Sequence, residues 1–380
     1  MVDKCSVIKY PDSWGFKREP ARPVTLRRDY FNGMQFDENF DWNNLWYDAV
    51  QIAHDCVLLI GPPLYDTKNF LTQNCQFTAN NCALSFNCID MDRAGLTIVH
   101  VPGIVNELIL HPSGTVIKVN TTSSEFENRK CLMTLQKDNP ISWIKEWIRY
   151  NRDNYSIDGI LIYDNQSTQY TAEELEFAIQ TENVTVKVVE WYVPYGPQGF
   201  DCNYYNTWDS DYAQSSMFEH SKRRYLSNAQ LAINCDIDEL LVLKNTTLDY
   251  IIETIKKENL AGYIYRGKWI EPYDINSKVA ANELSLNERS FANYYCIDTN
   301  KRALDAGRKW MVIPNKSLNY QWCVHHTNAP MRENNEIYYG HYMPMNTNWS
   351  WNRDNYSADT STLVVDHLLR HNLSKLRNNQ

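Results

Sequence analysis

Two rhythms of apolar and polar positions divide the chain. In the first, short apolar runs follow one another closely: CVLLIG (56–61), ALSFNCI (83–89), LTIVHVP (96–102), NELILHP (106–112) and TVIKVN (115–120). They are rich in β-branched and aromatic residues. Gly61-Pro62-Pro63, Pro102-Gly103 and Pro112-Ser113-Gly114 punctuate them. Short strands at this spacing predict an antiparallel sandwich or roll. The proline-bearing first 30 residues read as an irregular arm, and the polar stretch Thr121 to Lys130 as a linker.

From residue 131 strands and helices alternate. CLMTLQ (131–136), GILIY (159–163), VTVKVVEWYV (184–193), LAINC (231–235) and GYIYRG (262–267) read as strands. Between them, Ile141, Ile144, Trp147 and Ile148 share one helical face behind Asn139-Pro140, a cap followed by a favoured first-turn proline. Thr171-Ala172-Glu173-Glu174 is a capping box. Further helices are predicted around 214–229 and from Leu248 to Ile255, and the tail after 360 has helical spacing. Repeated β-α-β units imply an α/β domain with a mostly parallel, Rossmann-like sheet. The predicted division is a β-rich accessory domain at 1–129, an α/β domain at 130–350 and a helical tail at 351–380. Ligands of such sheets sit at the carboxyl ends of the strands. Polar clusters fall there at 137–139, 164–167 and 236–239.

Composition narrows the function. Of the 380 residues 43% are hydrophobic and 22% charged, with a formal net charge of −9 and no Lys/Arg run, so nucleic acid is not an expected partner. Only 13 glycines occur, and neither G-x-G-x-x-G nor G-x-x-x-x-G-K-[ST] is present, which argues against dinucleotide and P-loop sites. Ten cysteines form no C-x-x-C pair, pointing to free thiols in a reducing, cytoplasmic compartment. No long apolar run predicts a transmembrane segment. Peripheral association with a membrane or a partner protein stays open.

Asp236-Ile237-Asp238-Glu239 closes an apolar strand. Strand alternation would point 236 and 238 one way and 239 the other. Two adjacent carboxylates repel unless a cation joins them, and Mg²⁺ or Mn²⁺ binds one or two carboxylates together with phosphate oxygens. The pattern therefore suits a metal–diphosphate site. A solvated acidic turn is the plain alternative.

The stretches WIKEWIRYN (143–151), GILIYDNQS (159–167) and CDIDELL (235–241), with Gln214 between, resemble the GT-A-fold glycosyltransferases, most closely family 92 and its family-2-like relatives. Glu288-Arg289-Ser290-Phe291, KWMVIP (309–314) and Val324-His325-His326 recur downstream in the same order. The resemblance implies metal-dependent transfer of a sugar from a nucleotide-diphosphate donor, preferably UDP-linked, to a glycan hydroxyl, with inversion. Asp236 and Asp238 would hold the metal with His325, or alternatively His326. Asp138, Asp164, Asn165, Asp236 and Lys309 would bind the nucleotide. Glu271 and Asp305 are the candidates for the general base, and Trp269 and Trp349 would stack on the acceptor. Lys137-Asp138-Asn139 and Trp269-Ile270-Glu271 depart from the family pattern. Competing readings are a nucleotidyltransferase with paired aspartates and a non-catalytic carbohydrate-binding protein.

Overall fold

The protein is described by a computed structural model over residues 2–20, 36–197, 211–299, 306–347 and 359–377. It divides into two compact units. One comprises Lys4–Ser124 with Glu190–Ser227; the other comprises Met1–Asp3, Glu125–Val189 and Asn228–Gln380.

The first unit holds a five-stranded and a four-stranded sheet. Strands Asp48–Ala53, Cys56–Gly61, Phe86–Met91 and Ala94–His100 pair antiparallel, as do Gln76–Ala79, Cys82–Leu84, Glu107–His111 and Thr115–Lys118. Alternation along Cys56–Gly61 sends Val57 and Leu59 into the main core and Leu58 and Ile60 into a second cluster with Val50 and Leu96. Helix Tyr212–Arg224, which the sequence assigns to the α/β half, packs on this five-stranded sheet. The physical reason lies in its polar residues: Ser216 donates to Gly61 O at 2.8 Å, while His220 and Arg224 meet Asp48 at 2.8 and 2.9 Å.

In the second unit the strands are β1 (Lys130–Gln136), β2 (Gly159–Asp164), β3 (Thr185–Glu190), β4 (Leu231–Asn234), β5 (Glu239–Leu243), β6 (Gly262–Ile270), β7 (Arg308–Val312) and β8 (Met331–Tyr342). The helices are α1 (Ile141–Tyr155), α2 (Ala172–Ile179), α3 (Leu248–Lys257) and α4 (His367–Arg377). With Asp3–Lys4 at one edge, the sheet runs Asp3–Lys4, β3, β2, β1, β4, β7, β6, β8, β5. β1 is parallel to β2 and β4, and β6 is parallel to β8. β7 runs antiparallel to both its neighbours, and β5 antiparallel to β8. The sheet is thus more mixed than strand–helix alternation predicts. Only residues 235–238 separate β4 from β5, too few for a parallel crossover of a dozen or more, so β5 pairs at the far edge instead.

Helix α1 buries Ile144, Trp147 and Ile148 as expected from spacing, with Trp143 buried beside them while Ile141 is only partly buried. Its start differs: Pro140 is the cap, and Asn139 Nδ2 donates to Gln136 Oε1 at 3.3 Å. The Thr171/Glu174 capping box forms, at 3.1 and 2.8 Å. No helix of the described residues is long and apolar enough to cross a membrane.

Candidate functional site

The register of β1 against β2 sets Gln136 opposite Asp164, and that of β1 against β4 sets Met133 opposite Asn234. Three neighbouring parallel strands therefore end on one edge, carrying 136–139, 164–167 and 235–239.

At the end of β4 the chain turns rather than continuing extended, so alternation does not govern Asp236-Ile237-Asp238-Glu239. Glu239 N donates to Asp236 O at 3.0 Å, and Asp236 N donates to Glu239 Oε2 at 2.9 Å. The turn brings Glu239 to the same side as Asp236, contrary to the strand expectation. Lys309 of β7 lies between them, its Nζ 2.7 Å from Asp236 Oδ2 and 3.3 Å from Glu239 Oε2. Burial raises the Glu239 pKa to about 8 even with Lys309 beside it. Lys309 is itself buried, which disfavours its charge, yet Asp236 and Glu239 together hold its pKa above the usual lysine value. At 1% side-chain exposure and bonded to two carboxylates, Lys309 is an internal counter-ion in this structure.

Asp238 points to a different partner. Its Oδ2 lies 3.1 Å from His341 Nε2. His341 reaches it from β8, where alternation decides the matter. Tyr338 and Gly340 face α4: Tyr338 OH donates to Asp366 at 2.8 Å, and Leu369 lies against Gly340. Tyr339 and His341 face the other way. On β6 the same alternation sends Lys268 to Asp366 at 3.1 Å and puts Trp269 in register with His341. The two rings stack 4.1 Å apart at 20°. Gly267, in register with Tyr339, is required to be glycine, because a Cβ there would overlap the Tyr339 ring. Tyr339 OH donates to Ala306 O at 2.7 Å and so helps anchor the residues that lead into β7 and Lys309.

His341 did not figure among the sequence candidates. Its signal is alternation in β8 counted back from Tyr342, which required knowing that 331–342 is a strand beside β6.

The other candidates are placed as follows. Asp164 is fully buried: its carboxylate accepts from Gln136 Nε2, from Ser167 Oγ at 2.5 Å and from Ser167 N at 3.2 Å. Asn165 is buried, and its N–H donates to Gln136 O at 2.8 Å. Asp138, at a left-handed φ of 54°, accepts from the N–H groups of Thr168 and Gln169 at 2.5 and 3.0 Å. These residues organise their turns, and Asp138 is the one of the three that stays half-buried rather than enclosed. His325 and His326 lie in a turn closed by the Trp322–Thr327 bridge, not in a strand, so alternation does not choose between them. Asn234 Nδ2 donates to Val324 O at 2.8 Å and ties this turn to β4. His325 Nδ1 donates to Arg308 O at 3.0 Å. Partial desolvation, then Lys309, pushes its pKa down, and Asp236 and His341 are among its electrostatic neighbours. His326 is exposed, its carbonyl accepting from Cys323 N at 2.9 Å. Glu271 follows β6 and is 2% exposed, so its carboxyl is enclosed in this structure. Asp305 and Trp349 lie outside the described residues.

The residues of the turn fit a divalent cation. Two carboxyls, Asp236 and Glu239, share one ammonium, and Asp238 adds a third acidic group beside them. Asp236 Oδ2 is taken by Lys309, while Asp236 as a side chain stays 32% exposed. Two carboxylates and an imidazole suit Mn²⁺. They form no closed cage: among the described residues only Cys5, Asp48 and His220, in the other unit, bring three His/Cys/Asp/Glu ligand atoms within 4.8 Å of one another. There Arg224 already occupies the Asp48 oxygen that His220 meets, and a cation would have to displace it. Asp236, Asp238 and His341 are not gathered that closely, and a cation held there would need further ligands such as a diphosphate's oxygens.

The Glu288–Phe291 stretch is structural. Glu146 of α1 accepts from Ser290 Oγ and Phe291 N, both at 2.9 Å, and Arg289 donates to Pro344 O at 2.9 Å.

A search of curated proteins finds no match. Among solved structures, the apo form of mouse xyloside xylosyltransferase 1 is similar at 13% identity over 50% of this chain and 67% of that one, with a TM-score of 0.23. The sequence model of glycosyltransferase family 92 matches residues 130–376, well over half of the chain. The chain belongs to glycosyltransferase family 92 and is a glycosyltransferase.

Proposed function

We propose that the enzyme moves a sugar from a nucleotide-diphosphate donor, UDP-linked by preference, to a glycan hydroxyl, on a GT-A-type domain. The observation that carries this reading is the acidic turn at the end of β4, flanked by the adjoining ends of β1 and β2, within the stretch that matches the family. Asp236 and Asp238 would hold a divalent cation, with His341 in place of the sequence candidates His325 and His326, since it already meets Asp238 at 3.1 Å. When bound, the ion supplies Lewis-acid neutralisation of the leaving diphosphate.

The chain's own residues do the rest. The turns at 138 and 164 shape the edge on which the nucleotide would lie. Trp269 presents a half-buried indole stacked on His341, and we take it as the candidate surface for an acceptor sugar. Inversion needs a carboxylate at the acceptor hydroxyl. With Glu271 enclosed, Asp305 is the remaining sequence candidate for that base.

A donor-hydrolysis screen across UDP- and GDP-sugars with Mn²⁺, with calorimetric titration of UDP in the presence and absence of Mn²⁺, tests the reading. Mn²⁺-dependent UDP binding abolished by Asp238→Ala is the expected result. Glycan binding indifferent to Asp236 and Asp238, with no donor turned over, would replace it with a carbohydrate-binding role.

A further inference from the structure

We infer that Lys309 is a positioning residue for Asp236: clamped between Asp236 and Glu239, it takes one carboxylate oxygen and turns the other toward the ligand side. This rests on the reading that Asp236 binds a cation.

Lys309 is rigidly mounted. Its Cα is in register with Tyr265 of β6, and the next residues of β7 pair with β4, Met311 with Ile233 and Val312 with Ala232. The strand that ends in the acidic turn and the strand that carries the clamp are therefore hydrogen-bonded neighbours. Glu239 completes the device by accepting both from Lys309 Nζ at 3.3 Å and from Asp236 N at 2.9 Å, so backbone and side chain of Asp236 are both held. Among the described residues Asp236 Oδ2 is the oxygen so engaged, and Lys309 is nearly sealed from solvent while Asp236 is not. Such a partner does not touch the ion; it fixes the ligand's direction, as hydrogen-bonded supports of metal ligands do.

Coulomb's law makes the test discriminating. Removing a positive charge this close should by itself tighten cation binding. A positioning role predicts the opposite sign. The full-length chain and its Lys309→Met, Lys309→Arg and Lys309→Met/Glu239→Gln variants would be titrated with Mn²⁺ alone by calorimetry. Hydrogen exchange of the 235–243 amides would be followed in parallel. Lys309→Met should weaken Mn²⁺ roughly 10-fold or more. Lys309→Arg should restore most of the affinity, since a guanidinium fork reaches two carboxylates. The double variant leaves no buried unpaired carboxylate, so it reports on positioning even if the single variant folds poorly. Tighter or unchanged Mn²⁺ binding in Lys309→Met or the double variant overturns the inference. If the wild-type chain binds no Mn²⁺, the metal reading fails and the exchange data decide: faster exchange at 235–243 with β1 amides unchanged supports the clamp, and unchanged exchange overturns it.

Discussion

His341 Nε2 sits 3.1 Å from Asp238 Oδ2 while its ring lies 4.1 Å from that of Trp269, so a residue from β8 reaches the acidic turn with its orientation set from two sides. Its Nδ1 is buried and has no hydrogen-bond partner among the described residues.

Loss of that group should be costly. His341→Ala is expected to weaken Mn²⁺ by at least ~10-fold, more than His325→Ala does, by calorimetry. Asp238→Ala should lower transfer by at least about 100-fold, since metal stabilisation of the leaving group is worth several kcal/mol and each 1.4 kcal/mol is tenfold. EDTA should abolish turnover, and added Mn²⁺ should restore it.

Trp269 has two candidate jobs, and kinetics separate them. Trp269→Phe retains an aromatic face toward His341. Trp269→Ala should lower Mn²⁺ affinity if the indole steadies the imidazole, and should raise the acceptor KM if the indole stacks on sugar. Measuring both on one variant distinguishes the contributions.

Gly267→Ala should destabilise the fold by about 1–3 kcal/mol, the usual cost of overpacking. The added methyl would overlap a Tyr339 ring that is 1% exposed and tethered to Ala306. Tyr339→Leu in the same chain should recover part of the loss, read by thermal melting.

Asp48 is the keystone of the other unit. Its carboxylate accepts from Ser6 N at 3.0 Å, Asn120 at 2.7 Å, His220 at 2.8 Å and Arg224 at 2.9 Å, joining the N-terminal segment, two strand regions and helix Tyr212–Arg224. Burial would raise its pKa, but the His220 hydrogen bond and charge, with Arg224, outweigh burial and lower it. A carboxyl depressed in the folded state adds stability that is fully present above its unfolded pKa, about 3.9, and is lost as pH falls through the folded value. Acid unfolding of this unit should therefore set in below about pH 4. Asp48→Ala should cost ~3–5 kcal/mol at neutral pH, because it removes the carboxylate that pairs with the buried Arg224 and His220. Denaturant midpoints measured on both sides of pH 4 check the first expectation, and the variant checks the second.

Much of the fold is legible along the chain wherever local pattern and burial agree. The Thr171 capping box, the buried face of α1 and the run 56–61 match their elements because each depends on neighbours in sequence. The acidic turn is legible as chemistry but not as geometry. Asp236 and Asp238 stand out as residue types. That they part company, one to Lys309 and the other to His341, depends on a turn that alternation does not describe. Helix Tyr212–Arg224 shows the same limit. Its polar residues read as a surface, yet it is buried on nearly every side, because its partners lie some 150 residues or more away, as in the Ser216–Gly61 and His220–Asp48 bonds.

The order of residues alone therefore determined many of the strands and helices, the acids at a strand end and the family they resemble. Those follow from interactions within a few residues. Only the tertiary structure decided which cation steadies Asp236, which histidine meets Asp238, and that Asp164 and Glu271 are enclosed. Each of those outcomes is set by strand register between segments distant in the chain, and register is a property of the assembled sheet.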